Sequence, residues 1–208
     1  DVRFYEHHGV DPRGILRAVF ANLTSGNATG QGGSTITQQL ARNAFLTQEQ
    51  TLKRKLLEVV LAFEIESKYT KKQILEMYMN QIYFGQGCYG IQTAAHVYFG
   101  KDVKDLSLSQ CAMLAGLPNS PNYYSPFRSL EAAKYRQGIV LDQMAKYGYI
   151  SAADAQAAKA ADVHLASRTK ENPARGLRSI SSTMSSSPSA ISMTRMRSTK
   201  KDCRSTPR

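Results

Sequence analysis

A carboxylate flanked by two cations at helical spacing is the first place in this chain where chemistry could reside. Within residues 51–68, TLKRKLLEVVLAFEIESK, a run of apolar residues from 56 to 65 is interrupted by Glu58. On a helix, Arg54 and Lys55 lie four and three residues before it and share its face with Leu61, Ala62 and Ile65. Leu57, Val59, Val60 and Phe63 spread around the remainder, and a helix apolar on nearly every side is expected to be buried. A carboxylate carried inward on such a helix is costly unless it is paired. Two readings stand at this point. One is a structural ion pair anchoring a helix end; the other is a ligand-facing carboxylate at the floor of a cleft, with Arg54 and Lys55 available to an anionic substrate.

A second candidate lies upstream. Residues 24–33, TSGNATGQGG, carry four glycines among small polar residues and predict a loop. The loop runs into Gly33, Ser34, Thr35, Ile36, Thr37, Gln38, Gln39 and Leu40, where Thr35 and Gln38 have the spacing of a capping box. Free N–H groups at a helix start, reached through glycines, suit a phosphate or pyrophosphate. There is no Gly-Lys-Ser/Thr of the Walker pattern. Arg42, two turns into the predicted helix, is a further positive group.

The elements that would hold these residues all read as helices. Asp11-Pro12 is an N-cap followed by proline at the first helical position, starting a helix to about Leu23. Its apolar residues Ile15, Leu16, Val19, Phe20 and Leu23 form one stripe beside Arg13 and Arg17. That stripe suits either a core-facing helix or a basic amphipathic helix at a membrane surface. Capping-box spacing recurs at Thr70 with Gln73, Ser107 with Gln110 and Ser151 with Asp154, and Ser129 starts a long helix to Tyr147 closed by Gly148. The Thr70 helix is expected to stop at Gly85, with a turn over 86–90 and a short helix from Ile91 to Phe99. Residues 118–126, rich in proline, predict irregular structure. No two-residue alternation marks a strand, so the fold class is mainly α.

Bulk composition narrows the class. With 208 residues, 42% of them hydrophobic, the chain can bury an ordinary domain core. No run of eighteen apolar residues occurs. The net charge of +11 invites a nucleic-acid reading until it is divided by position. Residues 1–169 hold 18 basic and 14 acidic side chains, a balance of +4, and residues 170–208 hold 9 and 2, a balance of +7. The excess therefore sits mostly in a Ser- and Arg-rich tail, expected to be disordered and foreign to the domain before it. No nucleic-acid partner is expected, because the remainder lacks a basic-aromatic face. Cys88, Cys111 and Cys203 are too far apart for a zinc site or a disulfide framework.

Three stretches together resemble the first signature motifs of the peptidoglycan glycosyltransferases: Asp1-Val-Arg-Phe4-Tyr-Glu-His7-His-Gly9, Gly32-Gly33-Ser34-Thr35-Ile-Thr-Gln38-Gln39-Leu, and Arg54-Lys55-Leu-Leu-Glu58. ILEMYMNQIYFGQGCYGIQTAAHVYFGK and LSLSQCAMLAGLPNSPNYYSP resemble the fourth and fifth, so the likeness runs in order from residue 1 to about 165. Residues 127–150 are similar to the segment that follows these motifs in bifunctional class A penicillin-binding proteins. The resemblance implies a lysozyme-like glycosyltransferase fold with a larger globular lobe and a small membrane-facing lobe. The expected domains are a glycosyltransferase domain over 1–169 and the tail over 170–208. The implied activity is polymerisation of lipid II into glycan strands with release of undecaprenyl diphosphate, at the extracytoplasmic face of the inner membrane. Its partners would be lipid II, the growing strand and the membrane surface, with a transpeptidase domain further along. No Lys-Thr-Gly triplet of transpeptidase chemistry occurs here.

By the same resemblance Glu58 is the second catalytic carboxylate, acting at the leaving-group side directly or through Mg or Mn, the one cofactor the likeness brings into question. A carboxylate paired with cations suits electrostatic or metal-binding duty better than proton donation. Gly33, Ser34, Thr35 and Gln38 would meet pyrophosphate or sugar, Arg42, Arg54 and Lys55 the phosphates. Asp1, Phe4, His7 and Gly9 would support the first motif, with His7 holding its loop. The family motif begins Glu-Asp and its Glu is the principal base, so a chain beginning at the Asp is expected to be inactive. A lysozyme-like hydrolase or lytic transglycosylase is the competing enzyme class, and a nonenzymatic lipid II-binding fragment the competing binding class.

Overall fold

The structure, a computed structural model, describes residues 1–25, 32–46 and 52–167. The loop expected over 24–33 therefore lies largely outside the described residues, as does the tail expected to be disordered. Among the described residues eight α-helices follow in order: α1 Pro12–Ser25, α2 Ile36–Phe45, α3 Leu52–Lys68, α4 Lys71–Gln81, α5 Ile91–Phe99, α6 Leu108–Gly116, α7 Leu130–Lys146 and α8 Ala152–Ala160. Short 3-10 turns occupy Val103–Asp105 and Leu117–Asn119. Among the described residues the only strand-like pairing is an isolated antiparallel bridge between Tyr83 and Tyr89. The mainly α expectation holds.

Capping decides where these helices begin. All four boxes form: Thr35 with Gln38, Thr70 with Gln73, Ser107 with Gln110 and Ser151 with Asp154. Each satisfies two N–H groups that the first turn leaves orphaned. Ser129 accepts from the Ala132 N–H at the start of α7. At the head of α1, Asp11 accepts from the Gly14 N–H, and both of its carboxylate oxygens accept from Arg3 Nη2 at 2.7 Å. Burial acts against the charged carboxylate, but Arg3 and the Gly14 N–H outweigh it and hold the Asp11 carboxyl below its ordinary range.

α4 ends at Gln81, four residues before the Gly85 stop read from the sequence. The Phe84 N–H, which a helix running to Gly85 would give to the Asn80 carbonyl, donates instead to the Cys88 carbonyl at 2.9 Å, and the Phe84 carbonyl accepts from the hydroxyl of Tyr98, buried on α5, at 2.9 Å. The chain then turns through Gly85 at φ 90°, where a Cβ would lie 2.8 Å from the Pro121 carbonyl oxygen. The stretch 118–126, read as irregular, begins in the Leu117–Asn119 turn.

Three apolar clusters hold the fold. The largest joins Ile82, Phe84, Cys88, Tyr98, Phe99, Met113, Leu114, Leu117 and Ala133. α6, α7 and α8 enclose a second around Leu141 and Ala112. The third packs Phe4 of the opening segment with Leu40, Ala41, Ile65 and Ile74 from α2, α3 and α4, and Tyr78 borders both it and the first. Around this third cluster the chemistry collects.

One expectation fails here. α3 is not buried on nearly every side: Glu58, Ala62 and Ile65 are its buried residues, whereas Leu52, Leu56, Leu57, Val60 and Phe63 are exposed. Those three sit at i, i+4 and i+7, the single stripe that packs against α2 and the opening segment. The stripe of α1 is open as well, with Ile15, Leu16, Val19, Phe20 and Leu23 exposed, so the core-facing alternative is not realised. Among the described residues no helix is long and apolar enough to cross a membrane.

Candidate active site

Glu58 is fully enclosed, at 0% exposure, yet three cations surround its carboxylate. Lys55 Nζ donates to Oε2 at 2.8 Å, Arg54 Nε stands 3.3 Å from Oε1, and Arg42 of α2 reaches within 3.9 Å of the same oxygen. The two α3 cations stand where i−3 and i−4 spacing requires. Oε1 accepts no hydrogen bond from the described residues, so its contacts with Arg54 and Arg42 are ionic rather than directional. The cations are more open than the acid: side-chain exposure is 16% for Arg54, 37% for Arg42 and 46% for Lys55. Lys55 and Arg42 thus face the solvent side of this acid.

The glycine-rich turn meets this cluster through Lys55, whose ammonium also donates to Ser34 Oγ at 2.7 Å. Ser34 is held from behind as well, because Gln39 Nε2 donates to its carbonyl at 3.4 Å and the Tyr78 hydroxyl donates to Gln39 Oε1 at 3.2 Å. Burial pushes the Tyr78 hydroxyl up to about 12 against the opposing charge of Arg42, so it stays a proton donor at any physiological pH. Thr35 and Gln38 are placed differently from what a ligand contact needs. Both are buried, their side chains committed to the capping box, and Thr35 Oγ1 also donates to the Gly9 carbonyl at 2.6 Å. Gly33 lies against α1, where a Cβ would come within 3.2 Å of Ile15 Cα. The free helix-start N–H groups expected here are in fact taken, Ile36 N–H by the Asp1 carboxylate and Gln38 N–H by Thr35 Oγ1, and Ser34 with Lys55 lies at the edge of this frame.

The first-motif residues converge on the same place. The Asp1 carboxylate accepts the Ile36 N–H at the start of α2 at 3.0 Å and lies 3.1 Å from His7 Nε2. His7 Nδ1 is buried with no partner among the described residues, which favours the neutral ring donating Nε2–H to Asp1, since a second N–H would be left unsatisfied. Burial first, and then the charge of Lys71, push the His7 pKa down from its ordinary value. Phe4 is buried in the third cluster. Gly9 takes φ 85° and brings its backbone so close to α3 that a Cβ would stand 3.1 Å from the Ala62 carbonyl. A small cleft opens beside these groups, lined in part by Asp1, Arg3, Asp11, Arg17, Gly33 and Ser34.

Glu58 does not suit direct ligation of a divalent cation, because three cations already occupy the approaches to its carboxylate. Among the described residues no group of three or more His, Cys, Asp or Glu side chains could hold a metal ion.

Glu58, Arg54, Lys55, Ser34 and Arg42, each singled out in the sequence, lie together in the structure, whereas Gln39, Tyr78, Glu66 and Lys71 carry no such mark in the sequence. Gln39 stands inside the quoted second motif, and only its neighbour's capping spacing drew notice. For Tyr78, Glu66 and Lys71 the contacts are long-range, and no local pattern announces them.

A chain of helices in which a capped glycine turn, a charged helix and an opening Asp/His segment meet around one enclosed carboxylate defines a class, and comparison with known proteins agrees. The chain belongs to the transglycosylase family, whose model matches residues 1–145. It is 54% identical over 151 residues to penicillin-binding protein 1A of Escherichia coli (strain K12), covering 73% of this chain and 18% of that protein. Against penicillin-binding protein 1F of Bacillus subtilis (strain 168) the identity is 50% over 159 residues, covering 76% of this chain and 22% of the other. The crystal structure of penicillin-binding protein 1A from Haemophilus influenzae matches 68% of this chain and 19% of its own at 29% identity and a TM-score of 0.45. The chain thus spans about a fifth of the length of the curated relatives it matches.

Proposed function

We propose that residues 1–169 form a peptidoglycan glycosyltransferase domain that joins lipid II units into glycan strands. The observation that carries this reading is the set of cations at Glu58, where Lys55, Arg54 and Arg42 approach one carboxylate that solvent does not reach. Lys55 and Arg42 extend from that acid toward solvent, beside the Ser34 hydroxyl, and cations so placed are suited to hold the charge of a departing diphosphate.

In this scheme a base removes the proton from the 4-hydroxyl of one sugar as its oxygen attacks the anomeric carbon of the other. The bond from that carbon to the diphosphate oxygen breaks, the configuration inverts, and undecaprenyl diphosphate leaves with its charge held by Arg42, Arg54 and Lys55. Ser34 supplies a hydroxyl to the same group. Glu58 acts as the fixed anion that keeps the three cations in place. Thr35, Gln38 and Gly9 hold the turn, and Asp1 and His7 hold the segment beside the cleft. No step is assigned to a divalent metal.

The exposed apolar side chains of α1 and α3 would let such a domain rest on the membrane that carries its substrate. We place it at the extracytoplasmic face of the inner membrane, acting on lipid II and the growing strand, with a transpeptidase domain elsewhere in the parent protein.

Labelled lipid II tests the reading when supplied to the chain with and without a Glu placed ahead of Asp1. Polymer from the Glu-preceded chain is the expected result. Cleavage of finished glycan with no polymer from lipid II would assign the site to a hydrolase or lytic transglycosylase, and saturable binding without turnover in either form would make it a binding module.

A further inference from the structure

One side-chain cluster outside the Glu58 site joins the opening segment, α2, α3 and α4. Glu66 on α3 is almost enclosed, its side chain 7% exposed, and a single oxygen, Oε1, accepts from Thr37 Oγ1 of α2 at 2.6 Å and from Lys71 Nζ of α4 at 2.7 Å. The same Lys71 ammonium donates to the His7 carbonyl at 2.5 Å and stands 4.6 Å from the centre of the Phe4 ring. A bridge serving only to join α3 to α4 across the Tyr69-Thr70 turn would need Glu66 and Lys71 alone. Instead the remaining contacts of Lys71 go to a segment 64 residues upstream, the one whose Asp1 carboxylate touches both His7 and the first N–H of α2.

We propose that Lys71, with Glu66 as its counter-ion, is a positioning residue for the glycosyl transfer proposed above: it clamps the opening segment through the His7 carbonyl and the Phe4 ring and so sets where Asp1 stands beside the cleft. This inference rests on that functional reading for its kinetic consequence, but not for its structural one. Lys71 touches no reacting group. Its effect passes along the His7 backbone to the His7 ring, from the ring to the Asp1 carboxylate, and from there to the Ile36 N–H. A misplacement of about 1 Å at the end of such a path is enough to slow a reaction by up to ~100-fold.

The charges facing His7 come from several elements: Asp1 at 3.1 Å, Lys71 from α4, Glu66 from α3, Asp11 ahead of α1 and the amino terminus. Lys71 and the amino terminus lower the pKa of the ring, whereas Glu66 and Asp11 raise it. The test follows from these opposite signs. The His7 ring is titrated by NMR in the 208-residue chain and in Lys71→Met, Lys71→Arg and Glu66→Gln. The midpoint is expected to rise in Lys71→Met, to stay in Lys71→Arg and to fall in Glu66→Gln. Unfolding would carry His7 toward its ordinary value in any variant, so the downward movement in Glu66→Gln separates a positioned charge from a collapsed fold. Unmoved midpoints in Lys71→Met and Glu66→Gln overturn the proposal. In the Glu-preceded chain, Lys71→Met is expected to lower kcat for lipid II about tenfold with KM within about threefold, and Lys71→Arg to restore it. A lowered melting temperature with kcat unchanged would show a bridge of stability only and also overturn it. If the unsubstituted chain neither polymerises nor binds lipid II, the functional reading fails, and the His7 titration still decides whether Lys71 governs the segment.

Discussion

Glu58→Gln removes one negative charge at nearly constant shape, from a position where the structure sets the consequences. At an effective dielectric of about 20, a cation at the 2.8 Å of Lys55 contributes roughly 6 kcal/mol of gross attraction and one at the 3.9 Å of Arg42 roughly 4 kcal/mol. Most of that is offset by the desolvation of the enclosed carboxylate, and removing one partner of a buried pair costs about 3–5 kcal/mol when the other is trapped. Here the trapping is partial. Lys55 and Arg42 are 46% and 37% exposed and can turn to water, whereas Arg54, at 16%, is the one held inside. The stability loss should therefore fall below that range, at about 1–3 kcal/mol, lowering the melting temperature of a domain this size by roughly 2–12 °C. The loss in catalysis should be larger, because cations without a fixed anchor no longer stand where the diphosphate charge develops. Displacing such groups typically costs about 100-fold in rate, or ~2.7 kcal/mol of transition-state stabilisation. Polymerisation of labelled lipid II by the Glu-preceded chain, read beside thermal unfolding, measures both. Synthesis within about twofold of the unsubstituted rate would refute the assignment, whatever the unfolding curve shows.

Other substitutions probe the frame. Gly9→Ala must place a Cβ 3.1 Å from the Ala62 carbonyl at φ 85°; it is expected to destabilise by about 1–3 kcal/mol, read by denaturant unfolding, and a neutral result would mean the opening segment does not need its contact with α3. Asp11→Asn keeps an N-cap but loses the charge that Arg3 holds. Because the folded Asp11 carboxyl titrates below its ordinary value of 3.8, the stability it contributes is present above about pH 4 and disappears as the pH falls through its folded pKa. The gap between the parent chain and Asp11→Asn should accordingly narrow on acidification in urea titrations, and a constant gap would deny the pairing. The double substitution Leu16→Ser with Phe20→Ser removes two exposed apolar side chains of α1. It should cut co-sedimentation with lipid vesicles by roughly tenfold or more if each contributes about 1 kcal/mol of burial, and unchanged binding would remove α1 from the membrane contact.

How far the residues alone reached depends on the range of the interaction involved. Capping boxes are local, three residues wide, and Thr35, Thr70, Ser107 and Ser151 all start helices where their spacing said. The i−4 and i−3 cations of Glu58 are local too, and they stand in contact. Burial was less legible. The apolar run of α3 looks like a core helix because a sequence shows how much hydrophobic surface a helix carries but not what covers it, and in this fold much of it is left uncovered. The end of α4 was misplaced because the Phe84 N–H pairs with the Cys88 carbonyl across the following turn instead of continuing the helical ladder. The clamp at Lys71 spans 64 residues to His7, a distance at which no periodicity speaks.

The two readings left open for Glu58 are compatible within one arrangement. The carboxylate is structural in the strict sense: it is enclosed, it joins α3 to Arg42 of α2, and it keeps no face for solvent. A structural role alone, though, calls for a single counter-ion, and additional cations crowded onto the same acid repel one another at a cost that only solvent or an anion can offset. Evolution toward stability would delete such cations, since balanced or apolar replacements at buried pairs are often as stable or more so. Their orientation indicates what offsets the repulsion. The acid is innermost, Arg54 is mostly covered, and Arg42 and Lys55 extend toward water, Lys55 already bound to the hydroxyl of Ser34. Cationic side chains therefore point outward from an enclosed acid, and under the proposed function a multiply charged anion would meet Arg42 and Lys55 first.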